Sequence, residues 1–201
     1  MRTTSILALV IIVFVGCSKK DDVVKMENAE QYFPMEVGDT WHYTFSGAGQ
    51  TFPIMRQVRS EIDTFGVSCM PVYDERDSLE ECWRVDSEGF WIHLLAFRYV
   101  PDPPLLIPFD MRTDTPHAFD SDAEDIQNSS GGFKIKGKIT FEGYVTKTVP
   151  AGTFQNCFKL RYDVEDDPPY SYHEYYAPNV GLLDNGDAVL DSAVVGGVTY
   201  P

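Results

Sequence analysis

The most regularly spaced side chains that could bind a ligand are basic. Lysines alternate with apolar residues in FKIKGKITF, and two further cations follow in FQNCFKLRYDV. Alternation with period two places such residues on one face of a strand. If residues 143–149 form a strand that pairs with both neighbours, the cations make one stripe that would bind an anionic headgroup, polymer or protein surface. The stripe comprises Lys134, Lys136, Lys138, Lys147, Lys159 and Arg161. Alternatively, acidic residues on adjacent strands neutralise it, and each exposed pair then contributes little.

The cysteines offer a second kind of chemistry. Cys69 and Cys82 lie on two strand-like arms about a turn near Glu75-Arg76, which places them nearly opposite one another. In an exported chain this favours a Cys69–Cys82 disulfide, and reduced, buried thiols are the alternative. Cys157 shares a predicted strand face with cations, which lower a thiol pKa. No histidine is tied to it by sequence, so we expect a structural thiol there.

Motifs for catalysis or metal binding are absent from the sequence. There is no G-x-S-x-G, H-E-x-x-H, P-loop or G-x-G-x-x-G, and the four histidines never pair at i, i+2 or i, i+4. The acidic run 184–191 lacks the register of a calcium loop, and the run 120–125 is a calcium candidate by charge density alone, with a solvated loop as the favoured alternative. We therefore expect no catalytic residue, no metal and no cofactor.

The elements that must position these residues read as strands. TWHYTF, FKIKGKITF, FQNCFKLRYDV and YSYHEYY all alternate with period two, and Asn185-Gly186 is a strong hairpin signal. About ten or eleven short strands predict an all-β, antiparallel domain, either a strongly curved sheet or an open or closed barrel. Residues 120–128 form either one short helix or an acidic loop.

The middle of the chain has the least regular pattern. Five prolines fall between residues 101 and 116, and proline is excluded from central strands. We therefore predict a Pro-rich connection over 101–132 that closes over one end of the sheet. A long connection of this kind is often a lid or a binding loop.

The N-terminus predicts export and a lipid anchor. Arg2 precedes ten unbroken apolar residues, Ile6 to Val15, too few to span a hydrocarbon core of about 30 Å. The stretch FVGC resembles the lipobox of bacterial lipoproteins, which implies cleavage after Gly16 and acylation of Cys17. An ordinary signal peptide with an incidental cysteine is the alternative. By analogy with lipoprotein sorting, Ser18 favours the outer membrane.

The domain organisation follows from this anchor. Residues 1–16 are the signal peptide, 17–31 the lipidated cysteine and a flexible polar tether, and 32–201 a single β-rich domain. The formal net charge is −15, and removing residues 1–16 takes away one basic residue and no acidic one. So negative a surface repels phosphate backbones, which disfavours nucleic acid as a partner.

Two stretches at the ends of the domain carry a resemblance. YFPMEVGDTWHYTF, and VTKTVPAGTFQNCFKLRY followed by YYAPNVGLL, resemble a broad set of uncharacterised bacterial lipoproteins. The resemblance covers both ends of the domain well and its middle poorly. It implies an antiparallel sheet folded towards a barrel and transfers no function to individual residues.

Three functions remain open from the sequence. The first is a membrane-anchored, non-catalytic module that binds an envelope protein or polymer. The second is a carrier of a lipid or other hydrophobic ligand, in a cavity lined by Trp41, Tyr43, Phe133, Ile135, Phe158 and Leu160. The third is an envelope hydrolase whose site is assembled from distant loops. A carrier should have an unfilled apolar interior, an interaction module a filled core, and an enzyme a cleft with converging titratable groups.

Overall fold

The structure, a computed structural model, describes residues 22–47, 49–64, 66–96, 98–127 and 131–201. Within these residues there is one short 3₁₀ helix, Ala29–Tyr32, and fifteen strands. The strands are β1 (Thr40–Gly47), β2 (Gln50–Val58), β3 (Ile62–Thr64), β4 (Val67–Tyr73), β5 (Leu79–Val85), β6 (Gly89–Leu94), β7 (Tyr99–Asp102), β8 (Leu105–Pro108), β9 (His117–Asp125), β10 (Gly132–Val149), β11 (Gly152–Val164), β12 (Tyr170–Ala177), β13 (Gly181–Asp184), β14 (Ala188–Val195) and β15 (Val198–Tyr200). No helix in the described part of the chain is long and apolar enough to cross a bilayer.

The strands form one antiparallel sheet that curls into a nearly closed barrel. Its order is β7-β9-β10-β11-β12-β13-β14-β1-β2-β4-β5-β6-β8, with β15 added to β14 and β3 added to β4. Just after β6, Leu95 makes an antiparallel bridge with Tyr99 of β7, so the two ends of the sheet meet. The predicted all-β, antiparallel and strongly curved domain is confirmed.

The alternation of apolar and polar residues along the strands determines which face of each strand turns towards the barrel interior. In β1, Trp41 and Tyr43 are buried and His42 between them is exposed. In β10, Ile139 and Phe141 are buried while Lys138 is exposed. Since successive side chains of a strand point to opposite faces, one face of each strand turns inwards and the other meets solvent.

Strand β10 is long because it bends. It pairs with β9 over its first half and with β11 over its second, and its register shifts between Phe141 and Gly143 and again between Val145 and Lys147. Gly143 has φ +106°, a conformation that a side chain would disfavour. Such bulges sharpen the twist and allow the sheet to close. The separate strand predicted over 143–149 is therefore wrong, because these residues continue β10.

The predicted number of strands, about ten or eleven, is too low. Five strands contain only three or four residues each, namely β3, β7, β8, β13 and β15. A strand this short shows at most two alternations, so its sequence carries almost no periodic signal.

The predicted Pro-rich connection over 101–132 is also wrong, because it contains the end of β7, all of β8 and β9, and the start of β10. Pro101 and Pro108 lie in β7 and β8, the two terminal strands of the sheet path, where proline is tolerated. The run predicted as a short helix or acidic loop is mostly strand β9. Ser121, Ala123 and Asp125 face inwards, with exposed acidic residues between them.

The predicted flexible tether differs from the structure over its second half. Residues 17–21 lie outside the described residues, but Met26 and Ala29 are buried. The backbone N–H of Met26 donates to the carbonyl of Met111 at 3.0 Å. The tether was predicted on polarity, yet its few apolar side chains suffice to fix residues 22–31 on the barrel.

The core occupies the middle of the barrel and is densely aromatic. Phe141, Phe158 and Leu160 are fully buried on β10 and β11. Tyr32 stacks on Phe158 with ring centroids 3.5 Å apart. The N-terminal segment is therefore part of the folded body, since it supplies side chains to the main core.

Candidate functional site

The barrel is not filled along its whole length. A cavity of about 450 Å³ lies inside it, with walls formed by residues of β1, β2 and β5–β13. Its lining is mainly apolar and rich in aromatic rings, as Trp41, Trp83, Phe119 and Tyr172 illustrate. A volume of 300–1,000 Å³ with a largely apolar lining is usual for small-molecule sites.

One end of the cavity is closed by the segment that precedes β1. Phe33 stacks on Phe90 of β6 at 4.5 Å and contacts Tyr176 of β12 at 4.9 Å. Six strands separate β6 from β12 along the sheet path, so these two residues belong to opposite walls. Phe33 therefore spans the interior and fills it at this end.

A rim of half-exposed aromatic rings marks the open end. Phe133 and Tyr170 both line the cavity and are 50% and 51% exposed. Tyr99 meets Phe133 edge to face, with centroids 4.8 Å apart. Because these exposed rings lie together and also line the cavity, we interpret the rim as an entrance for an apolar molecule.

Tyrosines lead from this rim into the barrel. Tyr170 stacks on Tyr172 at 6.2 Å, and Tyr172 stacks on Tyr162 at 4.8 Å. Tyr162 is nearly buried, and burial raises its pKa well above the usual range. The three rings form a continuous aromatic face that ends next to a carboxyl group.

That carboxyl group belongs to Glu174 of β12. The hydroxyl of Tyr176 donates a hydrogen bond to it at 2.7 Å, and Tyr162 donates another. Burial raises the pKa of Glu174, and the charge of Glu81 adds to this, while the two hydrogen bonds and Arg56 act in the opposite direction. The carboxyl is enclosed by the barrel walls, and its surface is reached from the cavity.

An ion-paired guanidinium lies on β2, which β13, β14 and β1 separate from β12 along the sheet path. Arg56 of β2 donates to both oxygens of Glu80 at 3.3 Å and to Glu81 at 3.1 Å. The indole N–H of Trp83 donates to the other oxygen of Glu81 at 2.6 Å. Burial alone would lower the pKa of Arg56, but the two carboxylates outweigh it and raise that pKa. We call Arg56, Glu81 and Glu174 the polar patch of the cavity.

Hydrogen bonds fix the wall between these two sides. Trp41 donates through its indole N–H to the carbonyl of Val180 at 2.6 Å, and the hydroxyl of Tyr43 donates to the carbonyl of Leu182 at 3.1 Å. The two stretches that carry the family resemblance therefore meet in space. Because each polar tip is tied to backbone, the aromatic bodies face the cavity in fixed positions.

The predicted basic stripe lies on the outer surface, and each of its cations has an acidic neighbour. The pairs are Lys134–Asp120 at 2.7 Å, Lys136–Glu165 at 2.7 Å, Lys138–Asp163 at 3.7 Å, Lys147–Asp184 at 2.6 Å, Lys159–Glu142 at 2.6 Å and Arg161–Asp163 at 2.7 Å. The acids come mostly from β9, β11 and β13, so the alternative of a neutralised face describes this arrangement better.

The cysteines lie away from the cavity. Cys69 and Cys82 are joined by a disulfide between β4 and β5, with Cα atoms 5.8 Å apart. Cys157 is fully buried, and burial raises its pKa, against the opposing effect of Lys147. β11 pairs without an extra residue from Cys157 to Val164, so Cys157 keeps the face that it shares with Lys159 and Arg161, but it packs there among Val149, Ala151 and Ala177. Cys17 lies outside the described residues.

No group of three or more His, Cys, Asp or Glu side chains in the described part of the chain is arranged to hold a metal ion. In the run over 120–125, Asp120, Asp122 and Glu124 lie on the exposed face of β9, and Asp125 faces inwards. Its outward acids instead pair with lysine, as Asp120 does with Lys134.

The polar patch was not predicted from the sequence, although a signal for it exists. Glu174 has the same parity as the inward-facing Tyr172 and Tyr176, and Glu81 has the same parity as Trp83. A charged residue on the apolar face of an alternating strand is costly unless it serves a purpose. The presence of Glu81 and Glu174 on otherwise apolar strand faces is therefore the signal that could have identified the polar patch.

Comparison with known proteins identifies solved structures that are similar to this chain. No protein-family model and no curated protein matches the chain. Among solved structures, the chain is similar to a "putative lipoprotein" from Parabacteroides distasonis, with a TM-score of 0.54 and 15% identity over 81% of this chain and 97% of that one. A "putative exported protein with YmcC-like fold" from Bacteroides fragilis gives a TM-score of 0.49 and 15% identity over 80% and 97%. At such identity the first likeness shows a shared fold alone.

Proposed function

We propose that this protein is a cell-envelope lipoprotein whose barrel binds a small amphipathic molecule without transforming it. The observation that carries the proposal is the unfilled cavity of about 450 Å³. At about 30 Å³ per water-sized volume, it would hold roughly fifteen non-hydrogen atoms. Such a ligand would place its apolar part on the aromatic walls and its polar part at the polar patch.

The cavity supports a ligand carrier over an interaction module with a filled core. Four of the six residues predicted to line it do so, namely Trp41, Tyr43, Phe133 and Ile135. Phe158 and Leu160 are instead fully buried in the core. The region predicted as a lid provides part of the wall through β8, so entry would use the rim of Tyr99, Phe133 and Tyr170.

The anchor is proposed from the N-terminal sequence. Acylation of Cys17 would attach the protein to a membrane, since each buried CH₂ contributes about 0.8 kcal/mol and several chains make the attachment durable. The similar Parabacteroides protein is itself described as a "putative lipoprotein", which supports this proposal. Ser18 supports the outer membrane as the destination. Replacing Cys17 by Ala should move the protein from the membrane fraction to the soluble periplasmic fraction.

Ligand binding is tested with a neutral hydrophobic dye, N-phenylnaphthylamine, whose fluorescence increases in apolar sites. The chain from Ser18 onward is used, because the described sheet and core lie within residues 22–201. We expect saturable binding that Ile135→Trp weakens at least tenfold, since the larger side chain would occupy the cavity. Val194→Trp is the control, because Val194 is 42% exposed on the outer surface. Absence of saturable binding by the wild-type protein would contradict the proposal.

A second candidate, an envelope hydrolase, is favoured by one observation. Glu81 and Glu174 converge on one cavity, and a buried acid with a raised pKa is suited to donate a proton. Glu81, however, is engaged by Arg56 and Trp83, which leaves it poorly placed to act as a base. Turnover of a panel of nitrophenyl esters and glycosides, lost in Glu174→Gln, would establish this candidate in place of the binding protein.

A further inference from the structure

The polar patch carries more negative than positive groups. Arg56 is the cation of the patch, and its guanidinium is shared between Glu80 and Glu81, whose side chains are 16% and 14% exposed. This cluster alone therefore holds two carboxylates against one cation. Glu174 of β12, which also lines the cavity, adds a third carboxyl group.

Within the described residues, Glu174 has hydrogen-bond donors but no ionic partner within 4.0 Å. Its contacts come from the hydroxyls of Tyr176 and Tyr162, which are neutral. The ion pairs formed at that distance in the described part of the chain all involve other acids. A partly buried carboxylate loses hydration on folding, and without a cation beside it, it would gain most from a ligand that supplies positive charge.

The aromatic rings around this carboxyl favour the same kind of ligand. Tyr162 and Tyr172 lie stacked with centroids 4.8 Å apart, and Tyr176 stands beside Glu174. The face of an aromatic ring attracts an ammonium group, and the attraction is stronger when the site is desolvated. Tyrosine faces combined with an acid are the usual means of holding an alkylated ammonium.

We propose that the cavity binds a hydrophobic organic cation, with its ammonium group against Glu174 and its apolar body along the aromatic walls towards the rim. The assignment rests on the proposed function, since it names the chemical class of the ligand in that same cavity. It also agrees with the charge of the whole chain, because a formal net charge of −15 attracts cations to the entrance.

The same features reject an anionic ligand. A carboxylate, sulfate or phosphate in the cavity would face Glu81 and Glu174, and Arg56 could bind it only by giving up Glu80 or Glu81. Placing like charges together in a poorly hydrated site is strongly unfavourable. Fatty acids and acidic phospholipids are therefore poor ligands, although their chains would fit the walls.

Two probes with the same tail and opposite heads test the proposal, decyltrimethylammonium and decyl sulfate. Each is titrated below its micelle concentration into the chain from Ser18 onward, with isothermal calorimetry as the readout. We expect the cation to bind at least tenfold more tightly than the sulfate. Equal binding, or tighter binding of the sulfate, overturns the cationic assignment and leaves the cavity as a site for amphipathic molecules. Binding of neither probe overturns the assignment together with the proposed function.

A substitution locates the charge that selects the ligand. Glu174→Gln keeps the size of the side chain and an acceptor for Tyr176, and we expect it to weaken decyltrimethylammonium about tenfold. Glu142→Gln removes the same charge from the outer face, where Glu142 pairs with Lys159, and should leave the affinity unchanged. An equal loss in both variants would overturn the role of Glu174. The comparison of probes on the wild-type protein stands even if a variant does not fold.

Discussion

Glu174 is the residue at which binding and stability are in conflict. Its carboxyl lies among tyrosines inside the barrel, and its raised pKa shows that the folded protein disfavours the charged form. A neutral side chain of similar size would suit the fold better. Residues that lower stability in this way are often retained for function.

Glu174→Gln should stabilise the unliganded protein at neutral pH. Because the folded-state pKa lies above the unfolded value, the wild type loses stability as pH rises towards that folded pKa, by about 1.4 kcal/mol for each pH unit between the two pKa values. The groups that face the carboxyl are Tyr162, Tyr172 and Tyr176, with Glu81 and Arg56 across the cavity. Urea unfolding should show a gain at neutral pH that disappears below pH about 4.5.

Glu142 provides a control, because its replacement by Gln should change the stability in the opposite direction. Partial burial would raise its pKa, but the hydrogen bond and charge of Lys159 outweigh this and hold it below the usual value. Glu142→Gln should therefore lose stability above the unfolded pKa, and the loss should vanish as pH falls through the lowered folded pKa. A destabilised Glu174→Gln at neutral pH would contradict our account of that residue.

At the scale of single residues, the sequence predicted which side chains face inwards, but it did not predict the charged residues that interrupt the apolar faces. The inward faces of β1, β10 and β12 followed from alternation, and Trp41, Tyr43, Phe133 and Ile135 were correctly assigned to the cavity. The polar patch did not follow, because it brings together residues from β2, β5 and β12, which are far apart in the chain. Only tertiary structure shows that Glu174 and Glu81 share one space.

Among the elements, the N-terminal segment packs into the barrel, which its polar residues would not predict. Half of residues 22–33 are polar, yet Met26, Tyr32 and Phe33 are buried in the barrel. The segment closes one end of the cavity where the sheet itself does not. It therefore belongs to the barrel domain and would shorten the free part of the proposed tether to the membrane.

Phe33→Ala should destabilise the protein by about 3–5 kcal/mol, because it removes a ring packed between Phe90 and Tyr176 and leaves a cavity. Chemical unfolding monitored by circular dichroism measures this loss. Val37→Ala is the matched control, since Val37 is 62% exposed in the same stretch. Equal, small effects of both substitutions would show that Phe33 does not fill the barrel end.

The elements that the sequence missed are short or contain proline. β7 and β8 have four residues each and include Pro101 and Pro108. Proline correctly excluded a central position, but it did not exclude the two ends of the sheet path. β9 was missed for another reason, since its acidic residues suggested a loop although its small residues alternate inwards.

For the molecule as a whole, the charges are distributed differently on the outer surface of the barrel and in its cavity. The outer lysines are neutralised pairwise, while the cavity retains an excess of acid. A net charge of −15 then dominates the long-range field. The outer surface should therefore not attract anionic membranes, and the contact with lipid would depend on the anchor.

Replacing Lys134, Lys136 and Lys138 together by Gln tests this arrangement. Each lysine already lies within 4 Å of an acid, so we expect no change in sedimentation with vesicles that contain phosphatidylglycerol. The chain lacking Cys17 is used so that the anchor does not contribute. Strong binding by the wild type that is lost in the triple variant would show that these cations form an anion-binding face after all.

The most direct test of the central claim, that the barrel holds a small amphipathic molecule, is native mass spectrometry. The chain from Ser18 onward would be exported to the periplasm, purified without detergent and desolvated gently. Our account predicts a bound species of small-molecule mass that Ile135→Trp abolishes and Val194→Trp retains. An apo mass before and after incubation with the decyl probes would contradict it, and the barrel would then be a scaffold that binds partners by its outer surface.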